Sequence, residues 1–162
     1  MAHEAMDAYL NDHLAGATLG TELAGLIRDR SDGTPLGSVI AAIAREIEED
    51  RQTLVDLMER MDTSRSPVKQ AAGWLAEKAS RLKFGGPGAG GVDHGLFMAL
   101  ESLTLGVQGK ACLWRALKEV AADHLPLATI DLDGLIDRAT DQQAALERER
   151  LSAARHVLGR GD

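Results

Sequence analysis

The chain has too few cysteines for an internal disulfide, since Cys112 is its only one among 162 residues, and nothing in it points to an oxidising compartment. Aromatic residues are scarce, at 3% of the sequence against 44% hydrophobic overall. A core here must be built from Leu, Ala, Ile and Val, which suits helix packed on helix and argues against a sandwich or barrel. No uninterrupted apolar stretch approaches the roughly 18 residues of a transmembrane span. The N-terminal segment carries His3, Glu4 and Asp7 in place of a basic stretch and an apolar run, so no secretory signal is expected. Excess positive charge is missing too. A formal net charge of -7, with both signs interspersed, opposes binding to nucleic acid or to an anionic membrane. These absences imply a cytoplasmic globular protein, long enough for one domain with a proper core.

What is present is sharp punctuation between long amphipathic segments. Ser31-Asp32-Gly33-Thr34-Pro35 breaks the chain and then offers Thr34 as a helix N-cap with Pro35 in the first turn. Ser66-Pro67 repeats the device, and Phe84 to Val92 packs five glycines around Pro87, which no regular element tolerates. Asp93 is the expected cap of the segment that follows. His124 to Thr129, with Pro126, precedes a last segment opened by Asp131. Four helices are predicted, at about 4–30, 35–62, 94–123 and 131–158.

Their apolar residues recur every three to four positions. The seams read Met6, Leu10, His13, Ala17, Gly20, Ala24, Ile27, and then Leu36, Ile40, Ile43, Ile47, Asp50, Leu54, Leu57, Met61. The third reads Leu96, Leu100, Leu103, Val107, Lys110, Trp114, Leu117, Ala121, and the fourth Leu135, Ala139, Gln142, Leu146, Glu149, Ala153. Such seams are what a helical bundle requires. The connection between helices two and three is far longer than the roughly 2–8 residues usual in bundles. It contains a further predicted helix, about 67–83, with Val68, Ala71, Ala72, Leu75, Ala79 and Leu82 on one side. At 1.5 Å per residue this helix spans roughly 25 Å, enough to carry the chain back along the bundle so that helices two and three run parallel. Lys69, Lys78, Arg81 and Lys83 make it basic, and Trp74 falls toward its outer side. It is a solvated face, or a docking surface for an acidic partner or a second copy. The loop at 84–92 lacks the Gly-Lys-Ser/Thr ending of a phosphate-binding loop and reads as a flexible linker.

Polar residues occupy seam positions where apolar ones belong. If helices two and three are parallel, Asp50 and Lys110 lie 15 and 16 residues beyond Pro35 and His94, at one height near mid-bundle. Ala17 and Gln142 reach that level from helices one and four, and Glu46 lies one turn before Asp50. The expectation is a buried polar layer of Glu46, Asp50, Lys110 and Gln142, with Gly16, Ala17, Gly20, Gly106 and Gly109 making room for it. Buried charges are tolerated mainly when paired. His13 is expected as a hydrogen-bonded core histidine. Cys112 falls off the seam without a histidine at helical spacing and is expected to be a packing residue.

The architecture, with its single long helical crossover between helices two and three, resembles the ferritin-like four-helix bundles over nearly the whole chain. The resemblance implies an all-α fold of that kind. It also raises the prospect of a two-metal centre at mid-height, built from two glutamates and two Glu-x-x-His motifs. Those motifs are missing. Glu46-Ile47-Glu48-Glu49-Asp50 and Asp141-Gln142-Gln143-Ala144 carry no histidine at the required spacing, and no His-x-x-x-His pair exists. A lysine ammonium at the layer would neutralise the carboxylates and repel a dication. The expectation is therefore a non-catalytic bundle with no cofactor, acting through self-association or a protein partner. The alternative is an iron or manganese protein, an oxidoreductase or metal handler, with an atypical site of Glu22, Glu46, Glu49 and Glu101.

Overall fold

The computed structural model describes residues 2–64 and 91–159. The expected crossover helix at 67–83, with its basic residues and Trp74, lies outside the described residues, as does most of the 84–92 loop. The fold is all-α. Four long helices, α1 (Ala2–Arg30), α2 (Pro35–Arg60), α3 (Gly91–Glu119) and α4 (Leu132–Leu158), form a four-helix bundle. No helix among the described residues is long and apolar enough to cross a membrane.

The helix ends follow from local chemistry. The Thr34 hydroxyl accepts from Gly37 N at 3.1 Å and donates to the Ser31 carbonyl at 2.6 Å, which joins α1 to α2 in a tight turn with Pro35 in the first helical turn. Gly33 supplies the left-handed residue, with φ at 73°. Gly37 is required for another reason: a Cβ there would lie 2.2 Å from the Ser31 carbonyl oxygen. Helix α2 ends at Arg60, two residues before the expected Asp62. Asp62 instead takes a left-handed conformation, φ 55°, while its N–H donates to the Glu59 carbonyl and that of Thr63 to the Met58 carbonyl. This is a Schellman closure with aspartate in the place usually held by glycine.

Two further expectations are corrected. Helix α3 begins at Gly91, so Asp93 lies inside the helix and does not cap it, and the glycine-rich linker stops short of Val92. At the other end α3 stops at Glu119, and residues 121–123 and 125–129 form two 3-10 turns that bring Leu127 into the core. Asp131 caps α4 by accepting from Gly134 N at 2.9 Å.

Helix α1 packs on α2 and on α3, and α4 packs on α3 and on α2; α1/α4 and α2/α3 are the diagonals. Bonds between helices fix the directions. Lys118 meets Asp133, Gln108 meets Gln143 and Arg150 meets Glu101, so α3 and α4 are antiparallel. Arg60 reaches Thr129, Arg138 reaches Asp50 and Gln142 reaches Glu46, so α2 also runs against α4. Helices α2 and α3 are thus parallel, and the chain between Ser64 and Gly91 joins opposite ends of the bundle. The apolar interior is divided in two. Leu23, Ile27, Ile40, Leu100 and Leu103 belong to one cluster, and Leu10, Leu54, Leu57, Trp114 and Leu117 to the other. The charged seam residues lie between them.

Candidate functional site

The heart of the bundle is ionic. Asp50 on α2 has a fully buried side chain, and Lys110 on α3 is 13% exposed. The Lys110 ammonium donates to Asp50 Oδ2 across the α2/α3 diagonal and to Gln142 Oε1 on α4. Gln142 Nε2 donates to Glu46 Oε2 at 2.8 Å. This side-chain orientation satisfies both ends of the buried amide, as burial demands. Glu46, Asp50, Lys110 and Gln142 therefore form one connected chain of hydrogen bonds. Burial pushes the Lys110 ammonium below the usual lysine range, with Arg138 adding to the effect, against the opposing pull of Asp50 and Glu46.

Arg138 is the member that sequence reasoning missed. It lies at the edge of the layer, 37% exposed, and its Nη1 donates to Asp50 Oδ1 and to Glu49 Oε2, each at 3.0 Å. The signal was available: Arg138 is one turn before Gln142 on α4 and shares its face. It was masked because a half-exposed arginine does not break an apolar seam. Asp50 thus receives a cation on each carboxylate oxygen, the arrangement that makes a buried carboxylate tolerable.

Helix α1 gives the layer no charge. Its Gly16, Ala17 and Gly20 face Gly106 and Gly109 of α3 across a crevice of about 190 Å³, walled also by Ile47, Leu54, Leu103, Val107 and Leu113. Asp50, Lys110 and Trp114 line it from within, and Asp12, His13 and Arg51 also border it. The glycines were expected to make room for the layer. Among the described residues, a Cβ at Gly16, Gly106 or Gly109 would meet nothing within 4 Å, so these glycines leave space beside the layer. Trp114 is 1% exposed, and its indole N–H has no partner among the described residues.

His13 and Cys112 differ from expectation. His13 is half-buried beside the crevice and meets the Tyr9 ring edge-on at 4.6 Å between centroids, with no hydrogen bond from its ring among the described residues. Burial lowers its pKa, partly opposed by Asp12. Cys112 is exposed, so it does not pack in the core; the α3 face that carries it lies outside the seam.

The four carboxylates of the alternative metal site are dispersed. Glu22 is exposed on α1, Glu49 binds Arg138, and Glu101 accepts from Arg150 at 3.1 Å. Glu46 belongs to the polar layer. Among the described residues, no group of three or more His, Cys, Asp or Glu side chains is placed to hold a metal ion. Comparison of the chain with protein-family models, with curated proteins and with solved structures gave no match.

Proposed function

We propose that the chain is a non-catalytic bundle of the ferritin-like kind. An ion pair takes the place of a metal centre in it, and its work is to bind, whether a second copy of itself or a protein partner. The observation that carries this reading is the Lys110 ammonium held between Asp50 and Gln142 at mid-bundle. The residues there do not fit a two-metal group. The central position is filled by a cation, and Asp50 accepts from Lys110 and Arg138. The histidine ligands of such a centre have no counterpart on α2 or α4. A layer of this composition favours one register, because sliding α2 against α3 would leave Asp50 and Lys110 unpaired in an apolar interior.

The test is metal content together with assembly state. Protein purified without a chelating tag from iron- and manganese-supplemented cells is expected to carry no stoichiometric metal, and to bind neither Fe(II) nor Mn(II) in calorimetric titration. About two ions per chain, the stoichiometry of a di-metal bundle site, would overturn the proposal. Sedimentation over a range of concentrations then reads self-association directly.

A further inference from the structure

We propose that the crevice between α1 and α3 is a binding site for a small, uncharged, mainly apolar molecule bearing one carbonyl group. Its size sets the first limit. A dry apolar cavity of about 150 Å³ admits a benzene ring, and this one is about 190 Å³, so it takes a single ring or a short branched chain. Its walls set the second. Aliphatic side chains and glycine backbone make up most of the lining; Asp50 and the mostly buried Lys110 are its inner charged groups, and Asp12, His13 and Arg51 stand at its border.

The polar end is specific. An ammonium has three hydrogens, and Lys110 gives two of them to Asp50 and Gln142. The third has no partner among the described residues, and Lys110 is one of the residues that line the crevice. A carbonyl oxygen entering there accepts that hydrogen. The charge of the ligand follows from the layer itself. Glu46, Glu49 and Asp50 carry three negative charges against the two positive charges of Lys110 and Arg138, and Arg51 at the crevice border is held by both carboxylate oxygens of Glu48, so no described cation is left over to balance a buried carboxylate. A ligand ammonium would meet Lys110 directly. A neutral acceptor meets neither penalty.

The glycines are the second, independent mark of a site. Glycine within a helix costs about 1 kcal/mol relative to alanine, and among the described residues Gly16, Gly106 and Gly109 have room for the methyl group. Steric demand of the fold therefore does not account for them, whereas an open crevice does.

Cyclohexanone is the probe, followed by the Trp114 indole N–H resonance in heteronuclear NMR and assigned with Trp114→Phe. Saturable shifts at about 1 mM, the range set by seven heavy atoms of ordinary efficiency, are expected. Cyclohexanecarboxylate and cyclohexylammonium are expected to bind at least tenfold more weakly. The triple variant Gly16→Ala, Gly106→Ala, Gly109→Ala narrows the crevice with methyl groups that meet no described neighbour within 4 Å, so it should stay folded and lose cyclohexanone binding. Absence of saturable shifts in the native protein would overturn the inference. So would equal binding of all three probes, or undiminished binding by the folded triple variant. These outcomes are independent of the metal test, which addresses the ion pair and not the space beside it.

Discussion

Removing the Asp50 carboxylate is the most direct test of the central ion pair. In Asp50→Ala the Lys110 ammonium remains in a mostly buried position, 13% exposed, with Gln142 Oε1 as its surviving partner. Breaking a buried pair from one side costs about 3–5 kcal/mol. Two features of this site lower the figure. The crevice lets water approach Lys110, and Arg138, 37% exposed, keeps Glu49 as a partner. The expected loss is therefore about 2–4 kcal/mol, a reduction of the full buried-pair value for partial solvation. With a urea m-value of about 2 kcal/mol/M, a loss of about 3 kcal/mol moves the midpoint down by about 1.5 M. Lys110→Met leaves Asp50 with Arg138 still bound, so its cost is smaller. The double variant Asp50→Ala, Lys110→Met removes both charges and should be more stable than the sum of the singles by at least about 1 kcal/mol. A loss below about 0.5 kcal/mol for Asp50→Ala, the size of an ordinary surface change, would refute the reasoning. So would simple additivity in the cycle.

Glycine substitutions should split by position: Gly109→Ala meets open space and is expected to raise stability by about 0.5–1 kcal/mol. Gly37→Ala drives a Cβ to 2.2 Å from the Ser31 carbonyl and is expected to lower it by more than about 2 kcal/mol. Urea midpoints measured side by side decide both. Asp62→Gly relieves a left-handed residue in the α2 closure and should stabilise by about 0.5–1 kcal/mol. Its failure to do so would mean that the aspartate side chain makes up for the backbone conformation. His13 gives the pH test. Its folded-state pKa lies below the ordinary 6.5, so the unfolded chain binds its proton first as pH falls, and stability is lost from about 6.5 downward. His13→Gln should lose less stability than the native protein between about pH 7.5 and pH 5.5; equal losses would assign the acid sensitivity elsewhere.

The parts of the fold legible from sequence were those set by local chemistry or by period. The Thr34–Pro35 start and the Asp131 cap depend on one side chain each. The seams placed Leu100, Leu103, Leu54 and Leu57 in the core because a helix turns the same face inward every three or four residues. Boundaries resisted where a backbone motif outweighed composition. Asp62 continues the polar pattern of α2, yet its left-handed conformation closes the helix. Gly91 belongs to a glycine-rich stretch, yet opens α3.

The central site divides along the same line. That Asp50 and Lys110 share a height was a matter of counting residues along two parallel helices, and counting suffices when helices are straight and their direction is set. Counting could not find Arg138, which reaches the layer from outside through the length of its side chain. It read the glycines as making room for the layer but could not show where that room lies. A small residue in a seam has two opposite physical meanings, close helix approach or a gap, and composition is the same for both. What separates them is the distance from an added Cβ to the facing wall. At Gly37 that distance is prohibitive and the glycine serves the fold, whereas at Gly16, Gly106 and Gly109 no described atom lies within 4 Å. Among the described residues, the small residues of the α1/α3 seam thus leave a crevice beside the ionic layer, bordered by Lys110, whose ammonium is held by Asp50 on α2 and Gln142 on α4.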